Sequence, residues 1–323
     1  MEHHERTKSH EMISIACPFF NEEKLVDKFF TRLIPVLNAI KNPFEVICVN
    51  DGSTDLTLMK LMEQSKIHKQ LVIIDLSRNF GKEAALTAAL DYASGSAVIP
   101  IDVDLQDPPE LIPKMIEVWC GGAEVVLARR RDRRSDTWAK RSSALMFYRI
   151  HNMLSESPIP ENVGDFRLMD RKVVEAIKDL PESRRFMKGI FAWVGFKTEI
   201  IEYTRDERVA GESKFNGWRL WNFALEGITS FSTAPLRVWL YLGIIVASIS
   251  MSYALIIAFK TIIFGIKVPG YASLIVSTLF LGGIQLVGIG VLGEYIGRIY
   301  LESKRRPKYI VREVHANGRL ENK

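Results

Sequence analysis

With 323 residues, 47% of them hydrophobic and 25% charged, the chain is far too apolar for a disordered protein and long enough for one large domain plus an appendage. Its net charge of +5 is modest and it carries no RNA- or DNA-binding motif, so no nucleic-acid partner is expected. Cys17, Cys48 and Cys120 form no C-x-x-C pair and read as small core residues in a reducing compartment.

Residues 1–11 are polar and lack the apolar core of a signal peptide, so they read as an N-terminal tail. His3, His4 and His10 could suggest a metal site, but a mobile terminus explains them as well. From residue 12 onward, short apolar runs alternate with longer helical patterns, the signature of an α/β fold on a mostly parallel sheet. Strands are expected near Ile13 to Cys17, Phe44 to Val49, Leu71 to Leu76, Ala97 to Ile101 and Val125 to Ala128. Helices are expected near Glu22 to Ile40, Asp55 to Lys66, Gly81 to Tyr92 and Pro109 to Trp119. In such sheets the ligand site gathers outside the carboxyl ends of the strands.

Four polar segments fall there. Pro18-x-x-Asn21-Glu22-Glu23 follows the first strand, where main-chain donors and a carboxamide can read a base or ribose edge, although helix capping also accounts for Asn21 and Glu22. Asn50-Asp51-Gly52-Ser53-Thr54-Asp55 follows the second. Thr54 or Asp55 suits a cap, whereas Asp51 stands too early for one and can accept from an imide N–H or a ribose hydroxyl. Arg78-Asn79-Phe80-Gly81-Lys82 sets a glycine where backbone can approach a ligand, and leaves the role of Lys82 open. Asp102-Val103-Asp104 places two carboxylates two residues apart at a strand exit, suited to a divalent cation and through it a pyrophosphate.

Beyond these, Ser135 to Leu154 reads as a basic amphipathic helix, and Phe196 to Tyr203 is β-like. Gly164-Asp165-Phe166-Arg167-Leu168 supplies a further carboxylate, with an ion pair from Asp165 to Arg167 or another arginine as the plain alternative. Arg205, Arg208, Ser213 and Lys214 lie in a basic loop suited to an acceptor phosphate or to lipid headgroups. Residues 213–234, rich in Trp and other apolar side chains, read as an interfacial segment, with an ordinary buried helix as the alternative.

No residue from Val238 to Phe259 or from Val268 to Gly293 is charged. Each stretch exceeds the roughly 20 apolar residues a membrane-crossing helix needs. Two transmembrane helices are therefore expected over residues 235–298, followed by a basic tail, 299–323. Arg237 before the first span and Arg298, Lys304, Arg305, Arg306 and Lys308 after the second put both termini on the cytoplasmic side. Gly288-x-Gly290-x-x-Gly293 fits a dinucleotide pattern but follows no strand. With Gly297 it reads instead as a site of close helix packing, which permits assembly with further copies of the chain.

Taken in order, Pro18-Phe19-Phe20-Asn21-Glu22-Glu23, the Asn50 to Asp55 segment, Arg78-Asn79-Phe80-Gly81, Asp102 to Glu110, Gly164 to Leu168, Gly211-Glu212-Ser213-Lys214-Phe215 and Leu292 to Arg298 resemble glycosyltransferase family 2. Within it they look like the polyprenyl-phosphate glycosyltransferases, such as bactoprenol glucosyltransferases and dolichol-phosphate mannose synthases. The resemblance covers residues 12 to 312. It implies a Rossmann-like GT-A nucleotide-sugar-binding domain over 12–212, with Mg²⁺ or Mn²⁺ as cofactor. It also implies transfer of a hexose with inversion, glucose from UDP-glucose in the first instance, to undecaprenyl or another polyprenyl phosphate at a bacterial inner membrane. Mannose, N-acetylglucosamine or aminoarabinose donors are the alternatives. By motif position, Pro18, Asn21, Glu22 and Asp51 would hold the uridine, with Asp102 and Gln106 also on the nucleotide sugar. Asp104, with Asp102, would bind the metal, and Asp165 matches the carboxylate proposed as base. Asn50-Asp51 departs from the Asp-Asp of many members, so position 50 is no essential acid. A processive synthase would need a Gln-x-x-Arg-Trp motif, which is lacking. A non-catalytic scaffold would have no reason to keep both Asp104 and Asp165.

Overall fold

The computed structural model describes residues 10–130, 163–182, 185–203, 270–316 and 319–321, with scattered helical positions between 239 and 263. The expected helix at 135–154, the basic loop with Arg205, Arg208, Ser213 and Lys214, and the segment 213–234 lie outside the described residues.

The first half alternates as the apolar periodicity demands. Strand β1 (Ile13–Phe19) leads to α1 (Val26–Ala39), β2 (Phe44–Asn50) to α2 (Thr57–Ile67), and β3 (Leu71–Leu76) to α3 (Lys82–Tyr92). Strand β4 (Ala97–Pro100) is followed by a 3-10 turn at Pro109–Leu111, then α4 (Ile112–Cys120) and β5 (Val125–Arg130). Helix α1 begins at Val26 and not at Glu22, because Glu22 to Leu25 form a turn in which Glu22 O accepts from the N–H of Leu25 and of Val26. Its buried Val26, Phe29, Phe30, Leu33, Ile34 and Leu37 follow helical spacing and make one stripe against the sheet.

The later elements are β6 (Val163–Asp170), α5 (Arg171–Lys178), α6 (Met187–Trp193), β7 (Thr198–Tyr203), the long α7 (Tyr271–Ser303), β8 (Val311–Ala316) and β9 (Arg319–Glu321). All strands join one nine-stranded sheet in the order β7-β5-β6-β4-β1-β2-β3-β8-β9. The expected mostly parallel strand direction holds, and only β6 and β8 run against the other described strands, which makes the sheet mixed. β1, β2, β3 and β4 are parallel, as are β5 and β7, but β6 runs antiparallel to β4 and β5, and β8 antiparallel to β3. Helices α1, α2 and α4 cover one face, and α3, α5 and α6 the other, so the central strands are apolar on both sides. Cys17 and Cys48 are core residues, with burial pushing both thiols up, whereas Cys120 is exposed at the end of α4 and not in the core.

Helix α7 is the one membrane-length apolar helix among the described residues, its span Phe280–Ser303 having a mean hydropathy of 1.4. Leu286, Val287, Ile289 and Ile296 stand exposed along it. Glu294 and Arg298, 3.0 Å apart one turn along the helix, neutralise each other. The first expected span is described only at scattered helical positions, among them exposed Tyr241, Ile245, Ile249 and Phe259. Trp239 packs against Gly288, where a Cβ would collide with the indole, while Gly290, Gly293 and Gly297 face open space.

Within the region expected as a basic tail, 299–323, the chain forms two strands. Helix α7 runs to Ser303, and β8 then returns to pair with the open edge of β3, because an unpaired strand edge next to α/β layers is satisfied by a further strand. Arg312 Nη1 lies 3.1 Å from buried Asp75, Arg312 Nη2 donates to Ser77 O, and Tyr309 donates to Asp91. Arg312→Ala leaves the Asp75 carboxylate without its cation, so it should cost about 1–3 kcal/mol, read as a lower melting temperature in detergent.

Candidate active site

At the carboxyl ends of β1 and β2 the two loops hold each other. Asn21, at φ 53°, accepts through Oδ1 from Thr54 N–H at 2.8 Å and donates its own N–H to Ser53 Oγ at 3.0 Å. The N–H of Glu22 donates to Thr57 Oγ1, and the N–H of Glu23 to Asp55 Oδ2. Capping alone therefore does not explain Asn21: it joins one loop to the other, and α1 has no side-chain cap. Asp55 does cap locally, accepting from Thr57 N–H at 3.0 Å.

Asp51 is almost wholly buried, and its two oxygens accept from Phe80 N–H at 2.7 Å and Gly81 N–H at 3.0 Å. Burial pushes its pKa up, against the opposing pull of those donors and of Arg78. Each oxygen keeps a second lone pair for a ligand. Next to it Gly52, at φ 62°, brings the second loop onto the Arg78-Asn79 backbone so closely that an added Cβ would sit 2.8 Å from Arg78 Cα and overlap the atoms beyond. Asn50, also buried, donates from Nδ2 to Asp75 Oδ1 at 2.7 Å. An aspartate at position 50 would set two buried carboxylates against each other, which accounts for the asparagine there.

The Asp102 to Gln106 turn follows β4. Leu105 holds φ 57° while buried, an uncommon state for a branched residue, and Gln106 N–H donates to Asp104 Oδ1 at 3.2 Å. The turn is held from below: Arg32 grips Glu110 at 2.8 and 2.9 Å, and Tyr203 donates a short hydrogen bond to buried Asp107. Because β6 runs antiparallel to β4, its beginning lies at the exit end of β4, and this brings Asp165 beside Asp102. Lys82 Nζ sits between them, 2.8 Å from Asp102 and 2.7 Å from Asp165.

The electrostatics follow from that contact. Burial raises the pKa of Asp165, but the charges of Lys82 and then Lys188, with a smaller effect from Arg167, take it down to about 2. Burial opposes the charge on Lys82 as well, yet Asp102 and Asp165 more than compensate and raise its pKa. Asp102 is pushed up by burial and by Asp165, against Lys82. Glu83, behind Lys82, rises to about 7 through burial and the nearby charge of Asp165. Arg167 is not the partner of Asp165: it donates to Gly164 O at 2.8 Å and its guanidinium lies 4.1 Å over the Phe191 ring.

Pro18, Asn21, Glu22, Asp51, Asp102, Asp104, Gln106 and Asp165 thus stand around the exit ends of β1, β2 and β4, brought together as the loops demand. Lys82, whose role the pattern left open, and Asp107 of the Asp102 to Glu110 motif complete the surroundings with Glu83 and Lys188, which no pattern singled out. Among the described residues no group of three or more His, Cys, Asp or Glu could hold a metal unaided. Two carboxylates on one turn are nevertheless what Mg²⁺ uses when phosphates and water complete its shell, and Mn²⁺ accepts the same oxygen ligands. The donor set therefore fits a cation that arrives with a diphosphate.

Gly52→Ala should force the Asp51 and Arg78 loops apart; the left-handed φ alone costs about 1–2 kcal/mol. The expected result is a lower melting temperature together with loss of nucleotide binding by calorimetry. For Glu83, the folded value near 7 lies above the unfolded one, so the folded state binds the extra proton and loses stability as pH rises through that range. Glu83→Gln should therefore melt higher than the parent at pH 8, with the gap closing by pH 5; melting curves at the two pH values check it.

Residues 14–178 match the family model described as glycosyl transferase family 2, and residues 234–299 match the one described as the GtrB C-terminal hairpin. The chain is 56% identical over 303 residues to the SfII prophage-derived bactoprenol glucosyl transferase of Shigella flexneri, covering 94% of this chain and 98% of that one. It is 54% identical over 302 residues to an uncharacterized glycosyltransferase of Synechocystis, covering 94% and 95%. A structure of glucosyl-3-phosphoglycerate synthase from Mycobacterium tuberculosis overlaps 69% of this chain and 79% of its own at 17% identity and a TM-score of 0.48, too distant to bear on substrate. With the exit-end carboxylates in place and these matches spanning the chain, the protein belongs to glycosyltransferase family 2.

Proposed function

We propose that the protein transfers glucose from UDP-glucose to a polyprenyl phosphate, with inversion, at the cytoplasmic face of a bacterial inner membrane. The observation that carries this reading is the meeting of Asp102 and Asp165 around Lys82, which puts a donor-side and an acceptor-side carboxylate within one ammonium's reach. The bactoprenol glucosyl transferases among its relatives support the choice of lipid and sugar.

On the donor side, Asn21, Glu22 and Asp51 line the place for the uridine, with Pro18 closing β1 beneath it and Gln106 beside the sugar. A divalent cation on Asp104 and Asp102 would neutralise charge gathering on the departing diphosphate. On the acceptor side, the phosphate monoester has its second pKa near about 6 and is already mostly dianionic at neutral pH. Such an acceptor needs no proton removed, so the work of Asp165 is to orient it and to face the positive charge developing at the sugar carbon. The acceptor phosphate itself is assigned to Arg205, Arg208, Ser213 and Lys214. A single displacement on an α-linked donor yields a β-linked glucosyl lipid.

The pairing of β8 supports the membrane arrangement in this reading. Its pairing with β3 keeps the chain after α7 on the same side as the catalytic sheet, so a crossing by α7 requires a second crossing between Tyr203 and Tyr271. The uncharged stretch 238–259 supplies it, and the match to a C-terminal hairpin over 234–299 supports the pair. The domain division proposed is then a catalytic unit over 12–212, an interfacial segment at 213–234 and a two-helix hairpin at 235–298, with 311–321 returning to the sheet.

Purified protein with Mg²⁺ should move label from UDP-glucose to undecaprenyl phosphate, and more slowly or not at all from other nucleotide sugars. Asp104→Asn should abolish turnover, while Asp165→Asn should lower kcat by about 10²-fold or more and leave UDP affinity within a few-fold. Absence of transfer from every UDP-hexose, or full activity in Asp104→Asn, would sink the reading.

A further inference from the structure

Lys82 is the first residue of α3, and its backbone is anchored because Gly81 N–H is held by Asp51. Its side chain is not confined in the same way: it remains 46% exposed while Asp165 beneath it is 15% exposed. The ammonium ends between the carboxylates assigned to the two halves of the reaction, 2.8 Å from Asp102 and 2.7 Å from Asp165. A divalent cation that used Asp102 would meet this ammonium at close range, and like charges that near repel strongly. A diphosphate arriving with the cation offers Lys82 new oxygens within reach of its flexible four-carbon stem.

We propose that Lys82 is an exchangeable counter-cation. In the donor-free site it neutralises Asp102 and Asp165. When a nucleoside-diphosphate sugar enters with its divalent cation, the ammonium leaves Asp102 for a phosphate oxygen, and Asp165 is freed toward the acceptor. Donor binding then precedes productive acceptor binding, because only the loaded site uncovers the acceptor-side carboxylate. This rests on the donor and cation assigned above, and Lys82 acts as an anion-binding and positioning residue in a step that breaks no covalent bond.

The test uses the full chain in detergent, without turnover. Mn²⁺ alone is titrated into donor-free protein and followed by the electron paramagnetic resonance signal of free Mn²⁺; UDP is then titrated at fixed Mn²⁺ by calorimetry. Lys82→Met and Lys82→Gln should bind Mn²⁺ alone about tenfold tighter and UDP about tenfold more weakly, the low end of what one charged neighbour does. Lys82→Arg should stay near the parent on both. Unchanged Mn²⁺ and UDP affinities in the Met and Gln variants overturn the proposal, as does weakened Mn²⁺ binding. If both neutral variants fail to fold while the Arg variant folds, Lys82 is a structural tie and the proposal falls. A parent protein that binds no UDP at all defeats the donor assignment itself, and that result is visible before any variant is compared.

Discussion

The buried carboxylate of Asp51, closed on the N–H groups of Phe80 and Gly81, is the contact on which the rest of the site depends. It joins the loop after β2 to the loop after β3, and Gly52 makes the approach sterically feasible. With Gly81 held, α3 has a fixed first residue, and that residue is Lys82. The stem of the side chain that reaches Asp102 and Asp165 thus starts from a backbone fixed by the loop after β2. Carboxylates that accept backbone N–H groups in this way sacrifice little stability despite burial, since each lone pair used replaces a lost water contact.

The charges above that frame are arranged as alternating signs and not as a pool of one sign. Asp102, Lys82, Asp165 and Lys188 follow one another, and the two flanking ammonium groups hold the Asp165 carboxyl below the usual carboxylate range despite its burial. Glu83, just outside the alternation, makes no ion pair among the described residues, and burial with the nearby charge of Asp165 pushes it up to about 7.

A second line of contacts runs from the end of the long apolar α7 to the loop after β2. Chain leaving α7 forms β8, where Arg312 meets Asp75; Asp75 accepts from Asn50, and Asn50 precedes Asp51. Asn50 is therefore part of the brace that ties the chain after α7 to the central strands. The return of β8 also closes the β3 edge, so the sheet does not depend on a partner molecule there.

The sequence alone determined the strand and helix alternation from residue 12 to 130, the exit-end placement of Asp51, Asp102 and Asp104, and the two long uncharged stretches near the C-terminus. All of these are local, since periodicity of two or of 3.6 and the residues that end a strand are legible in short windows. Tertiary structure decided what depends on distant partners. The segment Gly164 to Leu168 reads as an isolated acidic motif, and only its antiparallel pairing beside β4 makes it a strand that delivers Asp165 to Asp102. Residues 311–316 read as a basic tail, because a strand that completes an existing edge needs little apolar pattern of its own. Lys82 had no legible role, for an ammonium acquires one only from the carboxylates that folding sets around it: Asp102 lies 20 residues away in sequence and Asp165 lies 83.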